Sequence, residues 1–187
     1  MCFIVVLDAC VLYPAPLRDL LLRLATTGLY AAKWSERIHD EWTRNLVANR
    51  PEIAEPIKQT RIMMDTALPD ALVTGYEDLI DGLSLPDMDD RHVLATAIRC
   101  GAQSIVTYNL KDFPQDVLDI YGIEAVHPDD FIIQQLDLQQ GAVISVIKRH
   151  RAVLKKLPLS AHEYLTIFEG QGLVVTAGRL KEFVDLI

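Results

Sequence analysis

Short apolar segments alternate with amphipathic helical segments over the first two thirds of the chain. The first of them, Phe3 to Leu7, is apolar throughout and rich in β-branched residues, which is typical of a strand covered on both faces. Further strand-type segments are expected at 29–34, 71–74, 104–107 and 123–126, with helical patterns between them. This alternation predicts an α/β fold, with a central parallel sheet and helices on both of its faces.

The chain changes character after about Asp137, where helical patterns continue to the end without a strand-type segment between them. Ser160, followed three residues later by Glu163, is the signature of a capping box at the start of one of these helices. We therefore predict an α/β domain over residues 1–137 and a helical C-terminal extension over residues 138–187.

The composition excludes several classes of protein. Half of the 187 residues are apolar, so the chain can bury a core, and no apolar run approaches the roughly 18 residues of a membrane span. Asp8 interrupts the first apolar run, so no secretory signal is expected. Three cysteines without a CxxC pair argue against disulfides or a thiolate zinc site and favour the cytoplasm. The five histidines share no metal-ligand spacing, and most are expected at the surface or at helix ends.

Four carboxylates from distant parts of the chain are expected at one edge of the sheet. Asp8 follows the first strand, and Asp112 lies in the loop after the strand at 104–107. Asp90 begins the helix before that strand, and Glu41 lies beside the apolar stripe of an earlier helix. Ligands of parallel sheets bind where the carboxyl ends of the strands meet. A structural interpretation stays open for each residue, since the aspartates could cap turns or helices and Glu41 could lie at the surface.

Carboxylates that are packed together repel one another, and each needs a partner to stay ionised. Few cations lie near these positions in the sequence, with Arg91 and Lys111 as the exceptions. A divalent metal ion would neutralise the cluster, and hard oxygen ligands suit Mg²⁺ or Mn²⁺ better than Zn²⁺. The sequence therefore predicts a Mg²⁺ or Mn²⁺ site at this edge of the sheet.

Four segments together resemble the PIN domain, and within it the VapC-like toxins of bacterial toxin–antitoxin pairs. They are Ile4-Val-Val-Leu-Asp-Ala-Cys-Val-Leu12, the helix that carries Glu41, Asp90-Arg-His-Val-Leu-Ala-Thr-Ala97 and Ile105-Val-Thr-Tyr-Asn-Leu-Lys-Asp-Phe113. The resemblance covers about residues 1–135. It implies a three-layer α/β/α fold whose acidic centre binds Mg²⁺ or Mn²⁺ and cuts RNA.

The resemblance also implies a role for each polar residue. The four carboxylates would be both the catalytic residues and the metal ligands: Asp8, Glu41, Asp90 and Asp112. Three further residues would support them: Thr107, Asn109 and Asp87. Cys10 stands where an Asn or Ser is usual, so a polar contact to Asp8 or its metal-bound water is expected to be missing. Asn109 stands where many PIN nucleases have an Asp, which leaves Asp112 as the last acid.

The function that the resemblance implies is that of a metal-dependent endoribonuclease. As a toxin it would be held inactive by a cognate antitoxin protein, with RNA as its substrate, no membrane partner and pairing into a homodimer. The departures at Cys10 and Asn109 keep an alternative open, a non-catalytic PIN-type module that binds RNA or protein. A phosphatase of the haloacid dehalogenase type also has an Asp after its first strand, but its second Asp, two residues on, is Cys10 here.

A basic segment in the helical extension is a second candidate for contact with RNA. Five cations lie in the nine residues from Lys148 to Lys156. The residues predicted to contact phosphates are Lys148, Arg149, Arg151 and Lys155. The same pattern suits the solvated face of an amphipathic helix or a docking surface for an acidic antitoxin segment, and the sequence does not separate the three.

Overall fold

A computed structural model describes residues 3–154 and 159–187 of the chain. The strands in these residues are β1 (Ile4–Leu7), β2 (Ala31–Ser35), β3 (Leu72–Val73), β4 (Ser104–Val106) and β5 (Glu124–Val126). The α-helices in the same residues are α1 (Ala9–Leu12), α2 (Ala15–Thr26), α3 (Glu36–Asn49), α4 (Ala54–Ala67), α5 (Arg91–Cys100), α6 (Gln115–Leu118), α7 (Pro128–Leu138), α8 (Gln140–Val153), α9 (Ala161–Glu169) and α10 (Val174–Leu180). No helix in this part of the chain is long and apolar enough to cross a membrane.

The strands form a parallel sheet in the order β3-β2-β1-β4-β5. The central strand β1 pairs with β2 on one side and β4 on the other, and its Val5, Val6 and Leu7 are fully buried. A parallel strand covered on both faces is apolar at every position, which explains the uninterrupted run from Ile4 to Leu7. The predicted α/β fold with a central parallel sheet is confirmed, and so is the helical C-terminal extension.

The strand order places a topological switch point between β1 and β4. The chain builds β1, β2 and β3 toward one edge of the sheet and then returns to add β4 and β5 on the other side of β1. In parallel sheets the crevice for ligands lies at the carboxyl ends of the strands where this order reverses. Asp8 and Thr107 are the residues that directly follow β1 and β4, so both lie at the switch point.

Helices α3 and α5 position Glu41 and Asp90. Helix α3 begins after Ser35, whose hydroxyl oxygen accepts a hydrogen bond from the Ile38 backbone N–H at 3.3 Å. Helix α5 begins after Asp90 and ends at Gly101, which has a φ of 66°. This left-handed conformation favours glycine and ends the helix just before β4. The start of α5 agrees with the prediction that Asp90 begins this helix.

The chain packs as two compact units. The first comprises residues 1–13 and 30–127 and contains the whole sheet. The second comprises residues 14–29 and 128–187 and contains α2 and α7 to α10. The predicted division into domains at residues 137 and 138 stays a prediction.

The second unit is a helical cluster with its own buried polar contacts. Asp129 accepts hydrogen bonds from the backbone N–H groups of Val175 and Thr176, at 2.8 and 2.7 Å, and so satisfies the start of α10. Ser160 and Glu163 form the predicted capping box at α9. His150 lies near the end of α8, as expected, but it is fully buried, with its Nδ1 2.8 Å from the Tyr164 hydroxyl.

Candidate active site

Asp8 is an almost completely buried carboxylate (2% exposed) at the end of β1. Its Oδ1 accepts a hydrogen bond from the Ala9 backbone N–H at 2.6 Å, so Asp8 also caps α1. Its Oδ2 accepts bonds from the Thr107 hydroxyl at 2.7 Å and from the Cys10 thiol at 3.1 Å. Burial raises the pKa of the Asp8 carboxyl in spite of these bonds. A negative charge on Asp8 is therefore stabilised by hydrogen-bond donors, but these bonds do not fully offset the free-energy cost of its burial.

The loop after β4 is tied to the same carboxylate. The Thr107 oxygen accepts a bond from the Asn109 backbone N–H at 2.9 Å, and the Tyr108 N–H donates to the Cys10 sulfur at 3.3 Å. The expectation that Cys10 would leave Asp8 without a polar contact was wrong. Burial and the neighbouring Asp8 raise the pKa of Cys10, so its sulfur keeps the proton that it donates.

Asp90 lies half-buried at the start of α5, close to several other negative charges. Burial and the repulsion of its neighbours raise the pKa of Asp90 to about 7. The neighbours responsible are Asp8, Asp87, Asp112 and Glu41. The fold thus brings Asp8, Glu41 and Asp112, together with Asp87, into electrostatic range of Asp90. Asp87 also accepts a bond from the Asp89 N–H at 2.9 Å, which holds the turn that leads into α5.

Glu41 is held by a histidine that the sequence did not single out. The Nε2 atom of His92 lies 3.3 Å from Oε2 of Glu41, and His92 is 2% exposed. An ionised carboxylate can only accept, so Nε2 donates in this contact. His92 stands two residues after Asp90 and therefore links the start of α5 to Glu41 on α3. A polar residue within the buried stripe of α5, next to a candidate ligand, was the signal that could have indicated it.

Positive side chains do not balance this cluster. Among residues 3–154 and 159–187, no Lys or Arg forms an ion pair with Asp8, Asp90 or Asp112. Arg91, which directly follows Asp90 in the sequence, donates to the Met88 carbonyl oxygen instead. Uncompensated carboxylates in a partly buried place are destabilising, and a bound cation would relieve their repulsion.

The donor set consists of carboxylate oxygens. Mg²⁺ and Mn²⁺ prefer such ligands, so the set fits a hard divalent cation. In the part of the chain that the structure describes, no three His, Cys, Asp or Glu side chains are close enough together to hold an ion.

The predicted phosphate-binding residues lie on and after α8, in the second unit. Lys148 and Arg149 are exposed. Arg151 is half-buried, and its guanidinium donates to the Leu159 carbonyl oxygen, so it is already engaged. Lys155 lies outside the described residues. Of the three predicted phosphate contacts that the structure describes, Lys148 and Arg149 are therefore the exposed ones.

Comparisons with known proteins find two matching family models and a curated relative. A family model described as "PIN domain" matches residues 4–111, and one described as "VapC50 C-terminal domain" matches residues 128–182. Over 97 residues the chain is 45% identical to a protein of Mycobacterium tuberculosis (strain ATCC 25618 / H37Rv) that is named "Putative ribonuclease VapC50". The alignment covers 52% of this chain and 57% of the relative, so little more than half of the relative's length is matched. No solved structure matches the chain.

Proposed function

Because this chain belongs to the PIN domain family, we propose that it is an endoribonuclease that depends on Mg²⁺ or Mn²⁺ and hydrolyses phosphodiester bonds of RNA in the cytoplasm. The observation that carries this proposal is the cluster of carboxylates around Asp90 at the switch point of the sheet, where no Lys or Arg in the described part of the chain pairs with Asp8, Asp90 or Asp112. The relative named a ribonuclease supports the reaction, and its VapC name supports a role as the toxin of a toxin–antitoxin pair.

Each side chain of the site has a proposed task. Asp8 and Asp90 would bind metal directly, and Glu41 and Asp112 would complete the metal site or orient water. The bound ions would supply charge neutralisation at the phosphate and a lower pKa for the attacking water. Thr107 and Cys10 fix the orientation of the Asp8 carboxylate, and His92 fixes that of Glu41. Such supporting contacts set how well carboxylates are placed for an ion.

Cleavage of single-stranded RNA by the purified chain tests the proposal. We expect cleavage with Mg²⁺ or Mn²⁺, none with EDTA, and a loss of about 100-fold or more in Asp8→Asn and Asp90→Asn. Asp89→Asn is the matched control, because Asp89 is the exposed neighbour of Asp90 in the same turn. Cleavage that persists under chelation and in both variants would refute the assignment.

The alternative, a non-catalytic PIN module, rested on Cys10 and Asn109. The thiol of Cys10 makes the contact to Asp8, so this departure does not leave Asp8 without support. A binding module would retain RNA without cutting it, and substitution of the acids would leave that binding unchanged.

We also propose two protein partners, a cognate antitoxin and a second copy of the chain. The antitoxin proposal is supported by the VapC name of the relative, and the homodimer by resemblance to the toxins alone. Light scattering of the purified chain would detect a dimer. Co-purification with the product of an adjacent reading frame, together with loss of RNA cleavage in that complex, would support the antitoxin.

A further inference from the structure

A small pocket lies between α2 and α8, within the second unit. It has a volume of about 100 Å³ and is lined by Arg23, Thr26, Val146 and Arg149. The space suits a few water molecules or one small ion rather than a nucleobase or a peptide. Two arginines from different helices line it, so the ligand that matches its lining is an anion.

Both guanidinium groups are held by a hydrogen bond at Nε, and both keep N–H groups that are available to a ligand. Arg23 donates from Nε to Oδ2 of Asp19 at 2.9 Å, and Arg149 donates from Nε to the Ser145 carbonyl oxygen at 3.3 Å. Among residues 3–154 and 159–187, the Nη nitrogens of both arginines have no hydrogen-bond partner. A guanidinium fixed at Nε presents its remaining N–H groups as a fork, which matches the oxygens of a phosphate group.

The two arginines are the donors of this pocket. The hydroxyl of Thr26 already donates to the Arg23 carbonyl oxygen at 2.8 Å, so it does not offer its proton to a ligand. Asp19 balances one of the two positive charges. The pocket therefore keeps about one net positive charge and several unused N–H groups, which is the chemistry of a site for one tetrahedral oxyanion.

The distribution of charge favours RNA as the source of that oxyanion. The first unit has 9 Lys and Arg against 18 Asp and Glu, a balance of −9. The second unit has 9 against 8, a balance of +1. A polyanion is repelled by the first unit as a whole, so its backbone contacts away from the metal site are expected on the second.

We propose that Arg23 and Arg149 form a binding site for one phosphate group of the RNA backbone. This rests on the proposed function for the choice of RNA, whereas the oxyanion chemistry follows from the pocket itself. Free inorganic phosphate shares that chemistry and is the other source that the experiment must separate.

The test measures RNA binding apart from cleavage. A labelled, unstructured RNA is titrated in EDTA into Asp8→Asn protein, and its fluorescence anisotropy gives Kd at several salt concentrations. Arg149→Gln in this background is compared with Arg179→Gln, which removes the same charge from an exposed residue of the second unit outside the pocket. We expect Arg149→Gln to weaken binding about tenfold and to make the salt dependence shallower by about 0.7 in log–log slope. Arg179→Gln should change both much less.

Further variants distinguish a specific phosphate site from general electrostatic attraction of RNA. Arg149→Lys keeps the charge but loses the fork, so we expect it to restore less than half of the lost binding free energy. Equal losses in Arg149→Gln and Arg179→Gln would overturn the site. A thermal shift with inorganic phosphate that depends on Arg149, together with unchanged RNA binding, would assign the pocket to free phosphate and overturn the RNA proposal.

The outcomes also separate this site from the proposed function. RNA cleavage by the wild-type chain with normal RNA binding by Arg149→Gln would refute the phosphate site alone. Binding that depends on Arg149 without any cleavage in Mg²⁺ or Mn²⁺ would refute the nuclease and support the site. Since Arg149 is exposed, its variants should unfold at the wild-type temperature, which circular dichroism checks.

Discussion

Replacing Asp90 by Asn should stabilise the protein in the absence of metal. Burial and neighbouring carboxylates raise the pKa of Asp90 from 3.8 to about 7, so the folded state binds this proton more tightly than the unfolded state does. Ionisation of Asp90 therefore destabilises the fold. The penalty is absent below pH 3.8, grows as the pH rises, and is complete above about pH 7. Asparagine has nearly the same shape and carries no charge at any pH.

The size of the stabilisation follows from the pKa shift of Asp90. Moving the pKa from 3.8 to about 7 corresponds to about 4 kcal/mol at most. Asp90 is only half-buried, and solvent screening reduces this to about 1–2 kcal/mol. For a chain of this length, that is a rise in Tm of about 2–8 °C. The side chain of Asp90 makes no capping hydrogen bond to α5, so the substitution removes no contact that would offset the gain.

Urea unfolding in EDTA, at about pH 8 and about pH 5, measures the free energy of unfolding of both proteins. The advantage of Asp90→Asn should be smaller at the lower pH than at the higher pH, because the ionisation penalty on the wild type is complete only above about pH 7. Asp89→Asn removes the same formal charge from an exposed neighbour and should not stabilise. A wild type at least as stable as Asp90→Asn at about pH 8, or equal gains in both variants, would refute the argument.

Three further predictions concern the side chains that support the carboxylates. His92→Ala should weaken Mn²⁺ binding, measured by calorimetry, about 10- to 100-fold because Glu41 loses its donor, and His92→Gln should retain more of it. Thr107→Val should lower the free energy of unfolding in urea by about 1–3 kcal/mol, since it removes a buried donor to Asp8, whereas Thr107→Ser should be close to wild type. Iodoacetamide should modify Cys10 much more slowly in the folded than in the urea-unfolded chain, because burial raises its thiol pKa; equal rates would contradict this.

The fold and the strand-end residues could be predicted because they depend on local patterns. A strand buried on both faces requires a continuous apolar run, so β1 and β4 were recognisable before any contact was known. Parallel pairing then brings the residues after these strands together, which is why Asp8 and Thr107 were placed correctly at one edge of the sheet. Asp90 could be identified in the same way, as the residue before a strongly amphipathic helix.

The side-chain contacts could not be predicted, because they depend on distances between elements that sequence spacing does not fix. His92 and Glu41 are 51 residues apart, and their contact depends on how α5 packs beside α3. Cys10 was expected to be a poor substitute for Asn or Ser at its position. Its sulfur nevertheless reaches Asp8 and the Tyr108 N–H, because the turn after β1 brings the thiol within 3.3 Å of both.

The stability argument and the metal argument share one physical cause. The repulsion that raises the pKa of Asp90 is a free energy that the folded chain carries as long as nothing neutralises its carboxylates. A dication removes that repulsion when it binds, so part of the binding free energy comes from relief of strain already present in the fold. Asp90 is therefore both a destabilising residue in the metal-free protein and a strong candidate ligand. A surface aspartate such as Asp89 has neither property, because water already solvates its charge.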